Sequence, residues 1–157
     1  MAISVRRAEV SDIDWLIGQL RDFDRFANFK KPLMGNDAYC RVALKEMLEQ
    51  HVVFIAETPV GDRACDIERI GLIAGWITPH PFNPELRVLT ETFWWVIEKY
   101  RGTRAGLLLL NAFQKAGAWH QADWILFTLE HHSPVSDKHL LRRGYVEKER
   151  SYLLEAC

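Results

Sequence analysis

Residues 98–110 read EKYRGTRAGLLLL: two arginines and two glycines fall within six residues and run straight into four leucines. A plain strand-to-helix turn needs Gly102 or Gly106 and nothing more. Arg101, Arg104 and Lys99 add fixed positive charge beside a helix start, where backbone N–H groups are uncovered, and that combination suits a phosphate. The stretch therefore predicts a strand, an anion-binding loop and a helix in that order.

Working upstream, LRVLTETFWWVI (86–97) reads as the strand that feeds the loop, and PHPFNPE (79–85), with three prolines, reads as a loop because proline cannot stay in a ladder. Before it, HVVFIAE (51–57) and RIGLIAGWIT (69–78) are apolar, β-branched runs flanking a Pro/Gly/Asp-rich connection, the pattern of a hairpin. At the start, ISVRRA (3–8) is a strand, and Ser11-Asp12 is a cap for a helix with Ile13, Leu16, Ile17 and Leu20 at helical spacing. A second helix spans 38–50, with Val42, Leu44, Met47 and Leu48 as its apolar positions.

Downstream, the helix begins at Thr103 and reaches about Trp119. DWILFTLE (123–130) is a strand, SPVSDKHLLRRG (133–144) a helix capped by Ser133 and stopped by Gly144, and YVEKERSYLLE (145–155) a last strand. The order β-α-α-β-β-β-α-β-α-β predicts one α/β (α+β) domain over residues 1–157, with a central mixed, mostly antiparallel twisted sheet flanked by helices.

Of the 157 residues, 48% are hydrophobic and 26% charged, a globular balance, and the formal net charge of -1 argues against nucleic acid as a partner. The three cysteines, Cys40, Cys65 and Cys157, are widely spaced, which points to reduced thiols and a cytoplasmic setting. The N-terminus lacks the apolar core of a signal peptide, and GLIAGWI and LLLL are too short to cross a membrane.

The element order, with an Arg/Gly loop between a long central strand and a helix, resembles the GNAT N-acetyltransferase superfamily over nearly the whole chain. Its loop pattern is Arg/Gln-x-x-Gly-x-Gly/Ala after a strand ending in an aromatic and Val; here Trp95-Val96 end the strand, Arg101 and Gly106 occupy the outer positions, and Arg104 stands where a glycine is usual. RGTRAG is also similar to the loop of small bacteriophage-encoded GNAT-like proteins. The resemblance implies splayed central strands, with acetyl-CoA as cosubstrate contacted by Trp94, Trp95, Val96 and Ile97 on the strand. It also implies a diphosphate on Arg101, Gly102, Thr103, Arg104, Ala105 and Gly106.

A second signature of that superfamily maps onto 133–145, headed by Ser133 as a further cofactor contact and ending at Gly144-Tyr145. Leu140 replaces the tyrosine that protonates the departing thiolate in many members, leaving Tyr145 and His139 as candidates for that role. The segment with Phe23, Phe26, Phe29 and Tyr39 flanks the cleft for the amine, again by resemblance.

Glu91, the carboxylate on the central strand, is the first candidate for general base, directly or through water; a bulge would change the face on which it lies. His80, His131 and His132 are further candidates near strand ends. No helical H-x-x-x-H or comparable spacing links the histidines, so no metal site is expected. The expected function is acetyl transfer from acetyl-CoA to a primary amine of a small molecule or protein, with room for a homodimer. The alternative is a non-catalytic acyl-CoA-binding or assembly protein that kept the fold.

Overall fold

The computed structural model describes residues 2–61, 66–130, 133–149 and 151–154. In chain order these form β1 (Ser4–Arg7), a 3-10 turn (Val10–Asp12), α1 (Ile13–Ala27), α2 (Asp37–Gln50), β2 (Val52–Pro59), β3 (Ile67–His80) and β4 (Asn83–Val96). A second 3-10 turn (Glu98–Tyr100), α3 (Ala105–Trp119), β5 (Trp124–Leu126) and α4 (Asp137–Leu141) follow. The strands make one sheet in the order β1-β2-β3-β4-β5. All neighbours are antiparallel except β4 and β5, which the α3 crossover makes parallel.

Helical spacing determines what each helix buries. Ile13, Leu16, Ile17 and Leu20 of α1 join Cys40, Leu44, Met47 and Leu48 of α2 against one face of the sheet, through Val53, Ile55, Leu72 and Ala74. Cys40 takes the inward position that Val42 was expected to fill, since Val42 is exposed. The start of α2 is set by Asn36, whose side chain accepts from the Tyr39 N–H at 2.9 Å. On the other face, Leu109, Phe113 and Ala116 of α3 pack on Ile70, Ile73 and Leu89.

The approach of α3 depends on Gly75. A Cβ there would lie 2.5 Å from the Thr90 carbonyl oxygen and 2.6 Å from Cζ of Phe113, so neither backbone nor ring leaves room. Gly75→Ala is expected to cost about 1–3 kcal/mol by overpacking, read as a lower urea midpoint with an unchanged slope. An unchanged midpoint would mean that α3 can shift without loss.

Several sequence expectations are corrected. The PHPFNPE segment is mostly strand: β3 runs to His80 and β4 starts at Asn83, with only a tight turn between. Its prolines are tolerated because β2 pairs with β3 no further than Gly75 and β5 with β4 only over Val88–Thr90, so the hairpin tip has free outer edges. The predicted β5 is cut to three residues because pairing with β4 stops there. The last helix starts at Asp137, not at 133: Ser136 is extended and its side chain accepts from the Lys138 N–H, whereas Ser133 Oγ accepts from Val135 N in the turn before. Gly144 does stop that helix, at φ 87, with the Tyr145 N–H returning to Leu140 O at 3.2 Å. The expected final strand is absent among the described residues of 145–155; beyond Tyr145 the apolar residues Val146, Tyr152, Leu153 and Leu154 are exposed, so no buried apolar side holds the segment in a sheet. No helix of the described residues is long and apolar enough to cross a membrane.

Candidate active site

The middle of β4 is where its two neighbours part company. On one edge it stays paired with β3 as far as Val96, while on the other its pairing with β5 ends at Thr90↔Leu126. From Glu91 onward the two parallel strands fork. A register shift pairs Ala74 with Phe93 and Gly75 with Glu91, making Thr92 an extra residue, and the Thr92 hydroxyl donates to Ala74 O at 3.1 Å.

This bulge resets the alternation of side chains. Glu91 shares the α3 face with its partner Gly75. Beyond the bulge, Trp94 and Val96 pack with the α3 core, and Phe93 and Trp95 with the α1/α2 core. Had the alternation run on unbroken from Glu91, all three aromatic positions would lie on the opposite sides.

Glu91 therefore sits in the crotch of the fork, on the face covered by α3, and is 7% exposed. Its Oε2 accepts from the Thr128 N–H at 3.4 Å, across the gap. Burial, with a smaller contribution from Glu130, pushes its carboxyl up to about 8, against the pull of the Thr128 N–H. A carboxyl titrating there exchanges protons near neutral pH, as a general base must.

Next to Thr128, the Phe127 ring packs at 5.7 Å from Trp94, 5.2 Å from Phe113 and 5.4 Å from Tyr145. Tyr145 thus packs on Phe127, the residue before the Thr128 whose N–H reaches Glu91. Its hydroxyl accepts from Gln114 Nε2 at 3.1 Å, and Gln114 is in turn held by Arg143 at 2.8 Å. That leaves the phenolic proton free to be donated outward. Burial raises the Tyr145 hydroxyl above its ordinary value. His139 is exposed on α4 and Leu140 is buried in its place. His80 ends β3, against Phe82 and Trp124, about 17 Å of strand rise from Gly75, the partner of Glu91. His131 and His132 lie outside the described residues.

At the other end of the open edge stands the Arg/Gly loop. Ile97 closes β4 by donating its N–H to Ile70 O at 3.0 Å. The turn is anchored from β3, where the Tyr100 hydroxyl donates to Glu68 at 2.5 Å and Lys99 pairs with Glu68 at 2.6 Å. Lys99, counted from sequence among the loop's positive charges, is thus already neutralised. Gly102 takes φ 81, a conformation reserved for glycine. α3 begins at Ala105 with Arg104 at its N-cap and not at Thr103; Thr103 Oγ1, in the turn before, accepts from the Ala105 N–H at 3.3 Å while donating to Tyr100 O.

Among the described residues the N–H groups of Gly102, Arg104, Gly106 and Leu107 have no acceptor, and they gather at the positive end of α3. At Gly106 a Cβ would meet nothing nearer than Trp94 at 3.8 Å. The fold itself therefore does not require glycine there, and a glycine in the first turn of a helix costs about 1 kcal/mol relative to alanine. What it leaves clear is the outer side, where a ligand would approach the backbone.

Arg104 is exposed, but Arg101 is not where the loop pattern suggests. Its Nε donates to Val96 O at 3.1 Å, and its guanidinium lies over Trp95 at 4.6 Å and Phe26 at 5.2 Å, on the α1 face of the sheet. Phe23 joins this group, 5.5 Å from Phe93, while Tyr39 is exposed on α2 and remote from it in contact. Ser133, the other expected cofactor contact, is occupied with its own turn. No group of metal-ligating side chains occurs among the described residues.

No family model and no curated protein sequence matches the chain. Solved structures do. A predicted acetyltransferase with acetyl-CoA from Clostridium acetobutylicum is 16% identical with a TM-score of 0.71, covering 98% of this chain and 96% of that one. Glucosamine-6-phosphate N-acetyltransferase from Arabidopsis thaliana is 12% identical with a TM-score of 0.70, over 99% of both chains. A transcriptional regulator from Bacillus halodurans is 15% identical with a TM-score of 0.74, over 99% and 100%. The five-stranded mixed sheet and its helices are those of the GNAT acetyltransferase fold, which at these identities is a statement about architecture alone.

Proposed function

We propose that the chain is an N-acetyltransferase that moves an acetyl group from acetyl-CoA directly to a primary amine. The observation that carries this is the single open edge of β4, which joins a buried, readily titrated carboxylate at the fork to a nest of free N–H groups at the start of α3. An extended acyl carrier can lie along such an edge with its reacting end at Glu91 and its anionic end at the loop. A neighbour in fold solved with acetyl-CoA supports the choice of carrier.

Acetyl-CoA would supply the activated acyl group as a thioester. The N–H groups of Gly102, Arg104, Gly106 and Leu107 would hold the diphosphate, with Arg104 adding charge from its exposed position. Glu91, ionised, takes the proton of the ammonium, so that the amine nitrogen can bond to the acyl carbon as the carbon–sulfur bond breaks. Tyr145, whose hydroxyl already accepts from Gln114, has its proton available for the departing sulfur. His139, exposed and without a contact at the fork, is the weaker choice.

Turnover is the direct test: thiol release from acetyl-CoA in the presence of a panel of amines should be amine-dependent. Release with no amine in the panel, beside tight CoA binding, would favour a non-catalytic acyl-CoA-binding protein. The loop is tested separately by calorimetry. Arg104→Ala is expected to weaken CoA by about tenfold while leaving pantetheine, which lacks the diphosphate, unchanged. Equal losses for both ligands would mean that Arg104 acts on folding.

A further inference from the structure

We infer that the cleft between α1 and the end of β4 is a second, separate binding site, one that takes a carboxylate on Arg101. The cleft has a volume of about 390 Å3 and is bounded by Gln19, Asp22, Phe26, Trp95, Glu98 and Arg101. It lies on the face of the sheet opposite α3, so it is not part of the nest of N–H groups at the helix start.

Arg101 is built into this cleft as a fork. One donor, Nε, is spent on Val96 O, which fixes the plane of the guanidinium, and the rings of Trp95 and Phe26 hold it by stacking. Among the described residues neither of its Nη nitrogens has an acceptor, although two carboxylates bound the same space. Asp22 is engaged by Arg25, and Glu98 is exposed and makes no ion pair with Arg101. The remaining donors therefore face the cleft in the parallel arrangement that matches two oxygens of an oxyanion.

Two residues that bound the same cleft carry unmet polar atoms just beneath its surface: the indole N–H of Trp95 and the Oε1 of Gln19 are buried with no partner. A buried donor left unpaired costs free energy, so a ligand oxygen that reaches it gains more than it would at the surface. The aromatic walls suit an apolar body behind the anionic group. Asp22 and Glu98 at the rim weigh against a dianion, which favours a singly charged carboxylate over a phosphate ester.

The assignment does not rest on acyl transfer, because it is read from binding alone. The full chain, with arginine Nε–H and tryptophan indole N–H signals resolved by NMR, is titrated with phenylacetate, phenyl phosphate and the neutral phenylacetamide. Phenylacetate is expected to shift the Arg101 and Trp95 signals saturably, to bind about tenfold or more tightly than phenylacetamide, and to bind more tightly than phenyl phosphate. Arg101→Gln should erase the preference for the acid, and Arg101→Lys, which keeps charge but loses the fork, should restore it only in part.

Equal binding of acid and amide by the wild-type chain would overturn the inference without need of any variant. So would competition between phenylacetate and CoA, since that would place Arg101 in the diphosphate cradle. A chain that fails to bind CoA yet discriminates acid from amide would remove the acyltransferase reading and leave this one standing.

Discussion

Glu91→Gln is expected to lower turnover by about 10²–10⁴-fold at saturating substrates, the usual worth of a positioned general base, with little change in CoA affinity. The substitution keeps size and leaves an oxygen for the Thr128 N–H, so what is lost is the ability to hold a proton. In the wild-type chain the carboxyl titrates at about 8, so kcat should climb as pH rises through that value and the ionised form accumulates; the variant's residual rate should not follow that curve. An unchanged rate, or a wild-type profile flat between pH 6 and 9, would remove Glu91 from the chemistry.

The same carboxyl predicts a stability change of opposite sign. Its folded value lies above the ordinary 4.5, so its contribution to stability is whole below 4.5 and is lost as pH rises through about 8. A glutamine never ionises and carries no such loss. Glu91→Gln should therefore melt higher than wild type at pH 9 and show little difference at pH 4. A residue held buried at a stability cost that its neutral isostere removes is one retained for what its charge does.

What the sequence made legible follows from local physics. Helical spacing found α1, α2 and α3 because each buries one stripe, and the Arg/Gly cluster found the turn between β4 and α3 because its conformational demands are met by neighbours in the chain: Gly102 at positive φ, Thr103 bonded to Tyr100 and Ala105. Glu91 was singled out by position, though its face depended on the bulge at Thr92. That bulge has no sequence signature of its own. It arises from the register of β3 against β4, a relation between residues some eighteen positions apart.

The misses share that origin. Pro79 and Pro84 read as loop because the sequence does not reveal that the hairpin tip projects beyond its neighbouring strands, where a missing N–H costs nothing. The face that the Arg101 side chain takes is likewise not recorded in the loop pattern; two rings from β4 and α1 and the Val96 carbonyl decide it. Gln114, which orients Tyr145 from α3, was not noticed at all, since a polar residue on a helix has no pattern until a tyrosine thirty-one positions away arrives beside it.

Asp12 shows the same limit with the larger energetic stake. Read as a helix cap, it makes no cap bond to α1; its side chain, 0% exposed, instead gathers β1, β3 and the first turn into one ionic knot. Oδ2 accepts from Arg6 Nη1 at 2.7 Å and from the Glu9 N–H at 2.8 Å, while Oδ1 accepts from Arg6 Nη2 and pairs with Arg69 Nε, both at 2.9 Å. Arg6 also reaches Glu57 of β2, at 2.9 Å.

Asp12→Asn preserves shape but leaves two arginines facing an amide that offers one acceptor and presents a donor to one of them. Because both arginines are about one-third exposed and can turn to water, the cost should fall at the lower end for a broken buried pair, about 3 kcal/mol. For a chain of this size that is a fall in Tm of roughly 6–12 °C. The Arg6 hydrogen bonds hold the Asp12 carboxyl below its usual range, so its stabilisation is present above pH 3.8 and lost as pH falls through the lowered value. The gap between wild type and Asp12→Asn should accordingly be full at pH 7 and close in acid. A gap that persists undiminished at pH 2, or a loss under 1 kcal/mol at pH 7 by urea unfolding, would show that the knot orders the turn without stabilising the fold.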